Sequence, residues 1–306
     1  MFSNMFSRIN LRLVTILFFG FVVLCGPAKA SDGDVVQAHP ALWQVEKDEG
    51  KVYLLGSFHV LPPNYEWFNG ILRSSFEGSQ ELVMEAEITP EATAAIQAMV
   101  IKNAFFTGGD NLQNHLDDVH YGKMLSYAKK LMGLEEATAR KSKPWFIAIQ
   151  MSLISFMSSG MDPNSGVDKF LEGVARQKQK TISGLETPLD SMTALIDHPL
   201  TVQAAMLSDT LDKLDDFESY MNEYLEAWAS GDAARLATTM VDDMAEQPEM
   251  YQALLVNRNK KWLPAIEGHI NSGKTIFIVV GAAHLVGQDG IVRMLRAKGY
   301  TVDKIQ

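Results

Sequence analysis

The chain has 306 residues, 47% of them hydrophobic and 21% charged, enough apolar material for one large domain or two modest ones and too much for a disordered or fibrous protein. Its 37 acidic residues outnumber the 27 basic ones, for a formal net charge of -10. That is the wrong sign for wrapping a phosphate backbone, so nucleic acid is not an expected partner. A single cysteine rules out an intrachain disulfide and any zinc site built on two thiolates. Imidazole chemistry rests on seven histidines.

Residues 1–30 read as a secretory signal peptide. Arg8 and Arg12 precede an apolar run from Leu13 to Cys25, which ends at the small-x-small pattern Ala28-Lys29-Ala30 before Ser31. An uncleaved anchor is disfavoured because the run falls short of the roughly 20 residues a span requires. Leu24 stands where a lipoprotein signal at Cys25 usually has a small residue. Cleavage after Ala30 removes three cations and no acid, taking the net charge from -10 to -13 and removing the only cysteine. The expectation is an exported protein, periplasmic or secreted, with no stable membrane span, and a single domain over 31–306.

Ala41 to Glu46 and Val52 to Ser57 are strand-like runs around Asp48-Glu49-Gly50, predicting a hairpin with a glycine turn. Glu81 to Ile88 predicts a third strand, stopped by Thr89-Pro90. The middle of the chain is mostly helical in pattern. Leu207, Leu214, Met221 and Trp228 recur every seven residues, beside Leu211 and Leu225, which predicts one long helix after Pro199. Thr181 to Leu185 reads as a short strand and Lys274 to Val280 as a buried one. A helix from about Gln288 to Lys298 and a strand near Thr301 to Ile305 close the chain. The fold class is α/β (α+β): a mixed central sheet built from N- and C-terminal segments with a large helical insertion.

Gly268 to Thr275, GHINSGKT, matches a nucleotide-binding P-loop in letters only. The mechanism needs a strand before the loop and a helix after it, and here the order is reversed. No HExxH or GxSxG is present. A repeated tetrapeptide remains: Gly56-Ser57-Phe58-His59 and Gly281-Ala282-Ala283-His284, each following an apolar strand. No other histidine has glycine three residues before it. Glycine at a strand end lets the backbone turn sharply at the sheet's carboxyl edge, where open sheets bind ligands. Glu85 lies in an apolar strand, where a carboxylate is costly unless paired or metal-bound. Two imidazoles and a carboxylate make a plausible three-ligand metal site. On spacing alone a structural role is equally open, with His59 and His284 capping strand ends and Glu85 pairing with an arginine. Asp162, Asp168 and Glu186 are further candidates to approach the edge, though nothing in the sequence places them. His39, His115, His120, His198 and His269 read as structural or solvated.

The strand-GxxH opening, Glu85, Gly184-Leu185-Glu186-Thr187, the Arg258-Asn259 pair before Trp262 and the closing GAAHLVGQDG together resemble the TraB/GumN family, over about Leu42 to Val302. That family includes the Tiki ectodomains and is distantly similar to erythromycin-esterase-like and haem-binding ChaN-like proteins. The resemblance implies a metal-dependent site of His59, Glu85 and His284, with Arg258 and Asn259 in its polar surroundings. Tiki-like members are regarded as divalent-metal-dependent proteases; others are linked to peptide-pheromone shutdown or polysaccharide gene clusters. On this reading a divalent ion (Mn2+, Co2+ or Zn2+) lowers the pKa of a bound water. Arg258 stabilises the oxyanion, Asn259 orients substrate or water, and Glu85 is either ligand or general base. The substrate is a peptide or small molecule. The alternative is a non-catalytic binder of a peptide, a small ligand or haem.

Overall fold

The computed structural model describes residues 34–306, so the expected signal peptide, 1–30, and its cleavage point lie outside the described residues. The fold is α+β, organised on a mixed six-stranded sheet. Its strands are β2 (Leu42–Lys47), β3 (Gly50–Ser57), β5 (Glu81–Ala86), β6 (Thr181–Glu186), β7 (Thr275–Gly281) and β8 (Val302–Lys304), in the order β6-β5-β7-β3-β2-β8. β1 (Val36–Gln37) and β4 (Tyr65–Glu66), which no sequence pattern announced, form a short parallel pair of their own.

β7 is a continuous apolar run, and Ile276 to Val280 are all buried. That pattern suits a central strand covered on both faces. It pairs in parallel with β3 on one side and β5 on the other, and β6 extends the parallel set beyond β5. β2 joins antiparallel to β3 and β8, and carries exposed Glu46 and Lys47 at its end. Four parallel strands therefore deliver their carboxyl ends to one edge.

Most of the helices enter in two blocks, one between β5 and β6 and one between β6 and β7, with Gly70–Gly78 before β5 and Ile291–Ala297 between β7 and β8. The sheet core takes in Met221, Leu225 and Trp228 from helix Phe217–Ala229 and Trp262, Ile266 and Ile270 from helix Asn257–Ile270. Two further apolar clusters lie within the helices, one around Met124, Met151, Leu207 and Leu211, the other around Ile96, Trp145, Met192 and Leu195. Among the described residues no helix is long and apolar enough to cross a membrane.

Two sequence expectations need correction. The single long helix is two helices, Leu200–Lys213 and Phe217–Ala229, separated by a 3-10 turn at Leu214–Asp216. The seven-residue stripe is buried throughout, but Leu207, Leu211 and Leu214 serve one cluster while Met221, Leu225 and Trp228 serve the sheet core. The hairpin turn is not made by its glycine. Asp48 takes the left-handed conformation, with φ 51. Gly50 is instead the first residue of β3, where a Cβ would lie 2.2 Å from the Ile270 carbonyl oxygen.

Candidate functional site at the carboxyl edge of the sheet

Register brings the two tetrapeptides together. Ser57 of β3 is opposite Gly281 of β7, so the two GxxH turns leave neighbouring parallel strands one residue apart in register. Their glycines permit the approach: a Cβ on Gly56 would stand 2.9 Å from Ala282 Cα, and one on Gly281 would stand 3.1 Å from a Glu85 carboxylate oxygen. One strand over, near the end of β5, Glu85 Oε1 accepts the Gly281 N–H at 2.7 Å. Glu186 ends β6, and the helix that follows, Pro188–Ile196, is fixed by a reciprocal Thr187–Asp190 capping box with proline in its first turn.

Arg258 closes this edge from the helix side. It is the second residue of helix Asn257–Ile270, directly after a π-helical turn at Gln252–Val256, a distortion that often accompanies functional sites. Its Nη2 donates to Glu85 Oε2 at 2.6 Å and Glu186 Oε1 at 2.7 Å, and Nε also reaches Glu186 at 3.1 Å. Nη1 donates to the Leu254 carbonyl and to His284 Nε2, each at 3.2 Å. All five guanidinium donors are thus engaged. Glu186, whose side chain is 1% exposed, also accepts from Trp262 Nε1 at 2.8 Å and from the Ser191 hydroxyl. The guanidinium lies 4.6 Å from the centre of the Trp262 ring, and that ring packs 4.5 Å from His284.

Charge follows from these contacts. Burial by itself would raise the Glu85 pKa, but Arg258, with His59 and the Gly281 N–H, outweighs it and holds the carboxyl at about 2. Burial, reinforced by Arg258 and His59 and opposed by Glu85, lowers His284 to about 3. His284 is therefore a neutral imidazole. Its tautomer is set by Asn259, whose Nδ2 donates to the carbonyls of His284 and Asp289 and whose Oδ1 therefore faces His284 Nδ1, at 2.6 Å. Nδ1 carries the proton, and Nε2 offers its lone pair.

His59 is arranged in the same way at the mouth of the site. Its Nδ1 meets Asp168 Oδ2 at 2.8 Å. Asp168 chiefly raises His59, to about 9, against desolvation and the nearby Arg258. The ring is 54% exposed, so solvent screening tempers that pull.

The structure thus gathers Glu85, His284, Arg258 and Asn259 into one contact network and sets His59 close enough to exchange electrostatic influence with Glu85, Arg258 and His284. Asn259 is fully buried and bonded to His284, a place for positioning that imidazole rather than for touching substrate. Glu186 and Asp168 join the site, while Asp162 caps a short turn at Pro163–Ser165 instead. His115 and His120 pair with Asp110 and with Asp117 and Asp212 in the helical part. The GKT segment follows the end of helix Asn257–Ile270, with Gly273 at φ 70, and runs into β7.

For a divalent ion, the donor chemistry fits. Two imidazoles have Nδ1 held by an oxygen, as is usual for metal-binding histidines, and a carboxylate lies beside them. His284 Nε2 and Glu85 Oε1 are 3.8 Å apart. Glu85, Glu186 and Asp168 face the Arg258 guanidinium and a His59 imidazole that Asp168 favours in its protonated form, leaving negative charge to attract a cation, which would displace the His59 proton on binding. Among the described residues no three His, Cys, Asp or Glu side chains are gathered as a ready ligand set, and Arg258 stands between the two donors that come nearest.

A mixed sheet with paired GxxH turns and a buried Glu-Arg-Glu network at its carboxyl edge defines the class of protein. The TraB/PrgY/gumN family model matches residues 41–304, and the chain belongs to that family. No individually curated protein matches it significantly.

Proposed function

We propose that the chain is an exported metal-dependent hydrolase that cleaves peptide bonds, with His59, Glu85 and His284 as the residues that hold a divalent ion (Mn2+, Co2+ or Zn2+). The observation that carries this reading is that two imidazoles at one sheet edge each have Nδ1 hydrogen-bonded to an oxygen, with the ionised Glu85 carboxylate 3.8 Å from His284. When bound, the ion supplies Lewis acidity and an acidified water. Glu85, with a pKa of about 2, is a poor proton acceptor near neutrality, which favours the ligand role over the general base. Asn259 keeps the His284 Nε2 lone pair directed toward Arg258 and Glu85. Arg258 pairs with both Glu85 and Glu186, and its Nη1–H, now given to His284 Nε2, is the donor that can turn to a developing oxyanion once that nitrogen is otherwise engaged. An exported location rests on the leader at residues 1–30 and its small-residue cleavage pattern.

The test is a peptide-library cleavage assay on chain beginning at Ser31, stripped with chelator and resupplied with each ion, beside His284→Ala and Glu85→Gln. Cleavage that requires an ion and is lost in both variants is the expected result. Equal cleavage in chelator would remove the ion from the mechanism, and a peptide retained but never cut would favour the binder.

A further inference from the structure

The segment after β3 is stapled to a part of the chain more than a hundred residues away. Leu61 and Asp162 exchange backbone hydrogen bonds, at 3.4 and 2.9 Å, and the Val167 N–H donates to the Phe58 carbonyl at 2.9 Å. Gly166 packs so closely that a Cβ there would lie 2.1 Å from the His59 carbonyl oxygen. Those contacts dock the start of helix Val167–Gln177 against the first GxxH turn. They bring Asp168, in the helix's first turn and with its side chain 16% exposed, to His59 Nδ1. A half-exposed imidazole on a turn is free to rotate unless something holds it. The second GxxH turn solves the same problem with a different helix, through Asn259 and His284 Nδ1.

We infer that Asp168 is the positioning residue of His59, holding Nδ1–H so that Nε2 is the ring's working nitrogen, the counterpart of Asn259 for His284. The two imidazoles are therefore held at the same ring nitrogen by different chemistry, one by a carboxylate and the other by an amide. The inference rests on the hydrolase reading only for its effect on turnover.

The proton that Asp168 holds is directly observable. In mature chain labelled with 15N-histidine, His59 and His284 should each give a downfield, hydrogen-bonded Nδ1–H resonance, assigned with His59→Gln. In Asp168→Ala the His59 resonance should disappear while that of His284 stays, an internal check that the edge is folded. In Asp168→Asn, a near-isosteric change that keeps an acceptor but not the charge, it should move upfield without vanishing. On a cleaved peptide, Asp168→Ala should lower kcat by about 10- to 100-fold with KM little changed, and Asp168→Asn should recover part of it. An unchanged His59 resonance in Asp168→Ala, or an unchanged kcat where the wild type cleaves, overturns the inference. If the wild type cleaves nothing, the hydrolase reading fails and the resonances still decide the role of Asp168.

Discussion

Arg258 is the residue whose loss the edge tolerates least. Its guanidinium is the charge partner of two carboxylates whose side chains are 16% and 1% exposed, and removing one member of such a buried network leaves uncompensated charge rather than a simple gap. Arg258→Ala should lower stability by about 3 to 5 kcal/mol, measured by urea denaturation; a cost below about 1 kcal/mol would mean that water reaches Glu186. Asn259→Ala removes three hydrogen bonds and leaves two carbonyls and the His284 Nδ1–H without their partner. It should cost about 1 to 3 kcal/mol and weaken turnover through His284. How legible these residues were depended on sequence distance. His59 and His284 stand out because glycine and histidine lie within one turn, and Glu85 because a charge interrupts an apolar strand. Nothing local links Asp168 to a histidine 109 residues earlier, or Glu186 to an arginine 72 residues later. Those pairings exist only once helices have docked on the sheet.

At the scale of elements, the helical part shows why periodicity overreached. A stripe every seven residues cannot say whether its two halves face the same core, and the break at Leu214–Asp216 redirects the second half. The junction is pinned by polar contacts: Lys123 bridges Asp212 and Asp215, Tyr127 donates to Asp215, and His120 lies between Asp117 and Asp212. Asp117 also caps helix Asp118–Met132 through the Val119 and His120 N–H groups. The hydrogen bond to Asp117, together with the weaker one to Asp212, raises the His120 pKa above its ordinary 6.5. Because the folded value exceeds the unfolded one, this contribution is fully present below about pH 6.5 and fades as pH rises through the folded value. The stability advantage of wild type over His120→Gln should accordingly be larger at pH 5.5 than at pH 9, and a pH-independent difference would show that the imidazole acts by packing alone. In the same region Gln150 is 4% exposed with an Nε2 that has no partner. Gln150→Leu keeps similar volume without the unsatisfied donor, and should raise stability by about 1 kcal/mol.

At the scale of the whole molecule, the sheet was the most legible part because its central strands are apolar on both faces and short enough to be unmistakable, whereas β1 and β4, at two residues each, carry too few side chains to leave a pattern. The parallel order of β6, β5, β7 and β3 is a tertiary property, and it is what turns separate motifs into one edge. The three apolar clusters and the buried Glu85-Arg258-Glu186 network are complete without an ion. Metal-free protein should therefore remain folded, and an ion that binds the native state should add stability by mass action. At a free concentration of 100 times its Kd the gain is about 2.7 kcal/mol, which for a chain of this size corresponds to a rise in Tm of roughly 5 °C. Thermal melts of chelator-treated protein titrated with Mn2+, Co2+ and Zn2+ should show that rise for at least one ion. His284→Ala should abolish it, since Nε2 of His284 is the nitrogen whose lone pair is fixed toward Arg258 and Glu85, whereas Lys274→Ala should not, since Lys274 precedes β7 at its amino end. Identical melts with every ion would refute the metal reading of this edge, and a rise surviving in His284→Ala would place the ion elsewhere on the chain.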